Sequence, residues 1–262
     1  MIAFLGDHGV DVVSVTDHDT VDGIPHAVEA GKEKNVEVIP GLELTTNFNG
    51  IEIHILGYGI DCRNKTLRRE LGRLKNARLL RVKRILAKLR EQGVMIHDRD
   101  IFADEDVLSG TEAVVSYGRP HIAKALCEKG YAANYKEAFE KYIGNECGAY
   151  IPKESLSAIK GIQMLKKAGG IAVIGHPEDT VREEDLEVFT MNGLDGLEVY
   201  CPAHDEMQVY HYELMARKNG LIATGGTDMH TAKGYESKLE HLNKDPRYIE
   251  DLSRVIPGWD RG

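Results

Sequence analysis

Histidine and carboxylate side chains recur in this 262-residue sequence at or near the ends of short β-branched runs. Thr16-Asp17-His18-Asp19 follows Val12-Val13-Ser14-Val15, and Glu43 follows Val38-Ile39-Pro40-Gly41-Leu42. His54 lies within the run 51–56, His176-Pro177 follows 171–175, and Asp228-Met229-His230 follows 221–226. Imidazoles mixed with carboxylates suit manganese, iron or zinc, whereas an all-oxygen set suits magnesium or calcium. A lone histidine in such a place is more often an ordinary core or surface residue. Four of them, His18, His54, His176 and His230, each at a strand end with carboxylates beside them, point instead to a metal site.

For these groups to meet, the strands that carry them must share one sheet. Strand candidates are 11–16, 36–44, 51–60, 171–175, 193–200 and 221–225, and helix candidates between them are 21–35, 155–168, 183–192 and 204–219. This alternation is the pattern of an α/β fold with parallel strands. Several helices close on the glycine or asparagine that C-termini favour. In an α/β barrel the C-terminal strand ends converge on one mouth, so residues more than two hundred positions apart come together there. The alternation breaks at 62–152, where leucines and valines at 67, 71, 74, 79, 82, 86 and 89 recur at three- and four-residue steps. Further helices are expected at 119–129 and 135–143. The expected organisation is a discontinuous barrel domain, 1–61 with 153–262, and a helical insertion domain, 62–152.

Composition bounds the rest. With 42% hydrophobic and 29% charged residues, the chain is an ordinary globular one, neither disordered nor collagen-like. No apolar run approaches the ~18 residues of a membrane span, and the N-terminus lacks the signature of a secretory signal, so no membrane association and a cytoplasmic location are expected. Cys62, Cys127, Cys147 and Cys201 show no C-x-x-C spacing and read as buried free thiols. The net charge is −9, yet 65–91 holds eleven Lys or Arg against Glu70 and Glu91, a local charge of +9 on a body of about −18. That basic helix is either a solvated face or an attractor of polyanions. The negative total, and the lack of helix-turn-helix or zinc-finger spacing, argue against a stable DNA complex.

The combined motifs resemble the PHP (polymerase and histidinol phosphatase) superfamily of metal-dependent phosphoesterases. They are T-D-H-D-T-x-x-G at 16–23, P-G-x-E at 40–43, H-x-L-G-Y at 54–58, R-P-H-I at 119–122, H-P at His176, and G-x-D-x-H ending at His230. Their order, with R-P-H-I in a helical insertion, is most similar to the branch that hydrolyses nucleoside 3′,5′-bisphosphates and short oligoribonucleotides. The resemblance implies a distorted seven-stranded TIM-like β/α barrel and a hydrolase that cleaves phosphate monoesters or diesters of a nucleotide or short RNA with a metal-activated hydroxide. It implies up to three divalent ions, manganese, iron or zinc. Glu43 would bridge two, His54 and His176 ligate the second, His18 and His230 the third, and Asp228 the first. Asp17 would orient the His18 imidazole or serve as a structural hydrogen-bonding group. Arg119 and His121 would sit over the metals as phosphate contacts, although Pro120 also fits a plain helix start. Lys153 is a weaker candidate for substrate contact, and Glu198 and Tyr200 end a strand near the mouth, where they are expected to support the ligands rather than bind metal themselves.

The resemblance fails at the N-terminus. The family's first strand ends in D-x-H-x-H, and this sequence contains no H-x-H. Met1 to Val10 instead resembles the second half of the helix before the T-D-H strand. The expected barrel therefore lacks its first strand. A protein that begins upstream of Met1 is favoured over a barrel open at that edge, because unpaired strand edges are a liability. His8 is not expected to substitute as a ligand. The first metal would keep only Glu43 and Asp228, so the chain as written is expected to bind fewer than three ions and to be weakly active or inactive. Two alternatives remain: a metal-dependent amidohydrolase, a class that usually carries a bridging lysine where Glu43 stands, and a non-catalytic phosphate- or nucleotide-binding module on the same fold.

Overall fold

The computed structural model describes residues 1–102, 117–177, 180–229, 252, 255 and 256. The chain separates into two units, Met1–Arg69 with Ser155–Gly262 and Glu70–Glu154. In the first unit, α1 (Ile2–Asp7), β1 (Val12–Val15), α2 (Ile24–Lys34), β2 (Glu37–Phe48) and β3 (Ile51–Tyr58) lead to α3 (Lys65–Glu91), which runs on into the second. The second unit continues with α4 (Arg119–Glu128) and α5 (Tyr135–Ala138), the latter followed by a π turn, Phe139–Ile143. The chain then returns to the first unit with β4 (Leu156–Ser157), α6 (Ala158–Lys167), β5 (Ile171–Ile174), α7 (Glu183–Met191), β6 (Gly196–Tyr200), α8 (Glu206–Lys218) and β7 (Ile222–Gly225). No helix among the described residues is long and apolar enough to cross a membrane.

The strands form one sheet in the order β1-β2-β3-β5-β6-β7, with the short β4 beside β2. Parallel pairing holds for β1 with β2, β2 with β4, β5 with β6 and β6 with β7. The expectation of parallel strands throughout is corrected at β3, which runs antiparallel to both β2 and β5. The cause is local. Asn49 (φ 52°) and Gly50 (φ 88°) are both left-handed, and Phe48 pairs with Ile51, so two residues close a tight hairpin. Such turns match the twist of the flanking strands and need positive φ at both central positions, which Asn-Gly tolerates. The Asn47 side chain accepts the Gly50 N–H at 3.0 Å and fixes the turn.

The hairpin decides which side chains share a face. Thr45 lies opposite His54 and Glu43 opposite Leu56, so Glu43, Thr45, His54, Leu56 and Tyr58 point to the same side of the sheet. The apolar part of that side is a cluster of Ile39, Leu56, Tyr58, Ile171, Val173 and Ile256. On the other side, Leu42, Leu44 and Ile55 are fully buried, with α6 packed over β2, β3 and β5. Gly57 permits this approach: a Cβ there would stand 2.4 Å from Leu165 of α6. Helix starts follow capping chemistry. Ser157 caps α6, and Asp205 and Gln208 form a reciprocal pair at the start of α8.

The helical unit has its own core, built on Val82, Ile85, Leu86 and Leu89 of α3 with Ile96, Phe102, Ile122, Leu126 and Ile143. Its cations hold backbone. Arg81 Nε donates to the Ile151 carbonyl at 2.7 Å, Lys88 Nζ to those of Gly148 and Tyr150 at 3.3 Å, and Arg90 to that of Ile96 at 3.1 Å.

Candidate metal centre

The segment after β1 is stitched along β2. His18 and Glu43 form an isolated parallel bridge, the Asp19 N–H donates to the Glu43 carbonyl at 2.8 Å, and the Glu43 N–H to that of Asp17 at 3.2 Å. Asp19 then turns the chain with φ 51°, and its buried carboxylate accepts the Thr45 N–H at 2.9 Å. This lays the His18 imidazole beside Glu43. The hairpin brings His54 from the neighbouring strand, and β5 delivers His176 immediately beyond Gly175.

The four side chains converge on one carboxylate. Glu43 is 5% exposed. Its Oε1 lies 2.5 Å from His54 Nδ1 and 3.3 Å from His176 Nε2, and its Oε2 lies 3.6 Å from His18 Nδ1. His54 Nδ1 and His176 Nε2 are themselves 3.1 Å apart. The rings meet edge to face, His18 with His54 at 5.2 Å and His54 with His176 at 5.0 Å between centroids. Glu52 accepts from His54 Nε2 at 3.3 Å, leaving Nδ1 as the nitrogen turned to Glu43.

Charge in this cluster is mutually sustained. Burial alone would push the Glu43 carboxyl up, but hydrogen bonds from His176 and His54 and the charges of His18 and His54 outweigh it and hold it well below the usual carboxylate range. Burial opposes a charged His54, yet Glu43 and Glu52 lift its pKa from 6.5 to about 9. Hydrogen bonding to Glu43 raises His176 as well, against burial. Glu198 on β6 is 3% exposed. Burial lifts its pKa to about 7, opposed by His176 and reinforced by Glu43 and Asp228. Burial also raises Asp17, with His18 opposing.

The donor set fits a divalent cation. His18, Glu43 and His54 each offer a ligand atom within 4.8 Å of the others. Two imidazole nitrogens facing one another across a shared carboxylate oxygen can hold a proton or a cation between them, and nitrogen with oxygen donors is a combination taken by zinc, iron and manganese.

The other expected site residues have no side-chain hydrogen bond or ion pair with this quartet among the described contacts. Asp228 follows β7 with φ 44°, is exposed, and acts on Glu198 through its charge. His230 lies outside the described residues. Arg119, His121 and Lys153 belong to the helical unit. There Arg119 donates to the Ile143 carbonyl at 3.2 Å and to the Asn145 side chain at 2.9 Å, with its guanidinium over the rings of Phe139 and Tyr150. His121 Nδ1 accepts the Gly118 N–H at 3.2 Å. Asp19 and Glu52 were given no role by sequence reasoning. The one detectable signal was for Glu52, whose two-residue spacing from His54 puts both on one face of a strand.

No family model matches the chain. It is similar to a 5′-3′ exoribonuclease of Haemophilus influenzae, 29% identical over an alignment 264 positions long that covers 97% of this chain and 89% of the relative. It is also similar to a 3′,5′-nucleoside bisphosphate phosphatase of Chromobacterium violaceum, 26% identical with 95% and 85% covered. Among solved structures, a protein from Bifidobacterium adolescentis described as a metal-dependent phosphoesterase superposes with a TM-score of 0.81 at 29% identity, covering 97% of this chain and 88% of the other.

Proposed function

We propose that the chain is a PHP-type metal-dependent phosphoesterase that hydrolyses a phosphate ester of a nucleotide or short oligoribonucleotide, with a nucleoside 3′,5′-bisphosphate as the type of substrate. The observation that carries the proposal is the Glu43 carboxylate shared by His18, His54 and His176. Glu43, His54 and His176 would hold one divalent ion, manganese, iron or zinc, and His18 with His230 another, with Asp228 as a further ligand. When bound, such ions supply Lewis acidity toward phosphate oxygens and an attacking water acidic enough for neutral pH.

The chain's own side chains do the rest. Glu52 fixes which His54 nitrogen faces inward. Asp19 holds the Thr45 backbone, and with it the strand that presents Glu43. Asp17 orients His18. Arg119, His121 and Lys153 would be the phosphate contacts, since a guanidinium can grip two oxygens at once. The mixed sheet, with parallel strands on either side of the antiparallel β3, supports reading the fold as a distorted TIM-like barrel.

The test supplies manganese to the purified protein and offers a nucleoside 3′,5′-bisphosphate, a short 5′-phosphorylated oligoribonucleotide and a cyclic amide in parallel. Release of phosphate or mononucleotide, with the amide untouched, is the expected result. Opening of the amide without phosphoester cleavage overturns the proposal in favour of an amidohydrolase. Nucleotide binding without any turnover overturns it in favour of a binding module.

A further inference from the structure

His176 reaches the carboxylate from a backbone conformation that side-chain-bearing residues rarely adopt, φ 23°, immediately before Pro177. Such a conformation persists only where its surroundings over-determine it. The ladder between β5 and β6 pairs Val173 with Gly196 and Ile174 with Leu197. One step further on, Glu198 Oε2 accepts the His176 N–H at 2.8 Å. A buried side chain thus takes over where the backbone ladder stops, at the residue whose ring points into the site.

The carboxylate is held from its other side too. A Cβ on Gly226 would stand 2.3 Å from Glu198 Oε1, so the segment that leads to Asp228 closes on that oxygen. The Gly226 N–H is tied to the Tyr200 carbonyl at 3.0 Å, which fixes this approach. An apolar residue would fill the place at lower desolvation cost. The acid is explained by the N–H it must accept.

We propose that Glu198 is the positioning residue of the metal centre: it locks the His176 backbone in the turn that aims the imidazole at Glu43. This inference rests on the metal-binding reading of the site. Removing the acceptor frees the turn, and the ring loses its fixed direction although no ligand atom has been deleted. Outer hydrogen-bond partners of metal ligands change metal affinity by about 10- to 100-fold when removed.

The experiment titrates manganese into metal-free protein by calorimetry, after thermal unfolding has shown each variant folded. Glu198→Ala is expected to weaken binding by about 10- to 100-fold. Glu198→Gln, which keeps an acceptor oxygen, is expected to stay within about 3-fold of wild type. Gly226→Ala, which crowds the same oxygen, provides a second route to the loss should Glu198→Ala fail to fold. In a His176→Ala background, Glu198→Ala is expected to add nothing, because the two act as one unit. Wild-type protein that binds no manganese overturns the reading of the site and this inference together. Wild-type binding that Glu198→Ala leaves unchanged, or that it weakens equally with His176 already removed, overturns the inference alone.

Discussion

In the sheet unit, one carboxylate gathers three imidazoles from segments as far apart in sequence as His18 and His176. In the helical unit, the densest run of charge in the chain is spread over separate partners: Arg81, Lys88 and Arg90 donate to backbone carbonyls, Arg73 pairs with Glu70 and Glu154, and Arg90 lies 3.7 Å from Asp98. The physical difference lies in what each charge faces. A cation on a carbonyl completes a helix end or loop and remains compatible with water, so it fixes the local fold. Imidazoles turned toward a buried carboxylate raise one another's energy unless a proton or a cation sits among them, and that arrangement is one a ligand can relieve. Local charge density in a sequence is therefore a poor guide to a site, and convergence of sparse groups is a better one.

The comparison breaks most readily at Glu43. Glu43→Gln removes the anion around which the site is organised while leaving its size nearly unchanged. Manganese-dependent phosphoesterase activity is expected to fall by at least about 10²- to 10³-fold, the scale on which a pre-organised electrostatic group acts. Far-ultraviolet circular dichroism should remain that of wild type. Retention of activity would show that the quartet is structural, like Arg81, Lys88 and Arg90.

Next in size is the pH dependence of metal uptake. His54 is raised from 6.5 to about 9 in the metal-free protein, chiefly by Glu43 and Glu52 against burial. The stability this contact contributes is complete below about pH 6.5 and is lost as pH rises through 9. A metal ligand must be deprotonated, so the ion competes with that proton, and the sign for binding is opposite. Apparent affinity should rise by up to about tenfold per pH unit for each proton displaced between pH 6.5 and 9, then level off. Calorimetry in two buffers of different ionisation enthalpy counts the protons released. A flat profile would mean that His54 does not exchange a proton for the ion.

Arg119 tests the other side of the comparison. Its hydrogen bonds to Ile143 and Asn145 and its place over Phe139 and Tyr150 tie the start of α4 to the segment that follows α5. Arg119→Ala is expected to cost about 2 kcal/mol of stability in urea unfolding, from a charged hydrogen bond and a cation–π contact together. Arg119→Lys should recover only part of this, since an ammonium cannot reproduce the planar fork. Manganese stoichiometry should not change in either variant.

Six of the seven strands of the sheet unit were legible because each is largely apolar and bounded by turn residues; the two-residue β4 falls inside the expected helix 155–168. The placement of His18 and His176 just beyond strand ends could be read for the same reason, whereas Glu43 and His54 lie inside β2 and β3 rather than at their ends, because the hairpin extends both strands past the expected site. The direction of β3 was also written in the sequence, in Asn49-Gly50, but the βα alternation on either side argued for parallel strands and masked it. Asp19, Glu52 and the clamp formed by Glu198 and Gly226 were less accessible. Their roles depend on which backbone N–H or ring nitrogen a carboxylate meets, and residue type does not specify that. The basic run of α3 was ambiguous for a related reason. The carbonyls that receive Arg81 and Lys88 lie sixty or more positions downstream, so no local pattern records the pairing.

The smallest expected effect gives the sharpest form of the comparison. Gly50 in the β2–β3 hairpin and Gly93 at the end of α3 have nearly the same left-handed backbone, φ 88° and 83°, and a Cβ at either would meet nothing within 4 Å. Alanine at each therefore introduces backbone strain alone, about 1–2 kcal/mol, and the two variants should lose similar stability in urea. Their consequences for the site should differ. Gly50 closes the turn that sets Thr45 opposite His54, and hence Glu43 on the face where His54 points, so Gly50→Ala should weaken manganese binding by about 2- to 3-fold through a small shift in that register. Gly93→Ala strains a helix end in the other unit and should leave manganese affinity at the wild-type value. Equal weakening by both would mean that the loss at the site does not come from the register of the hairpin.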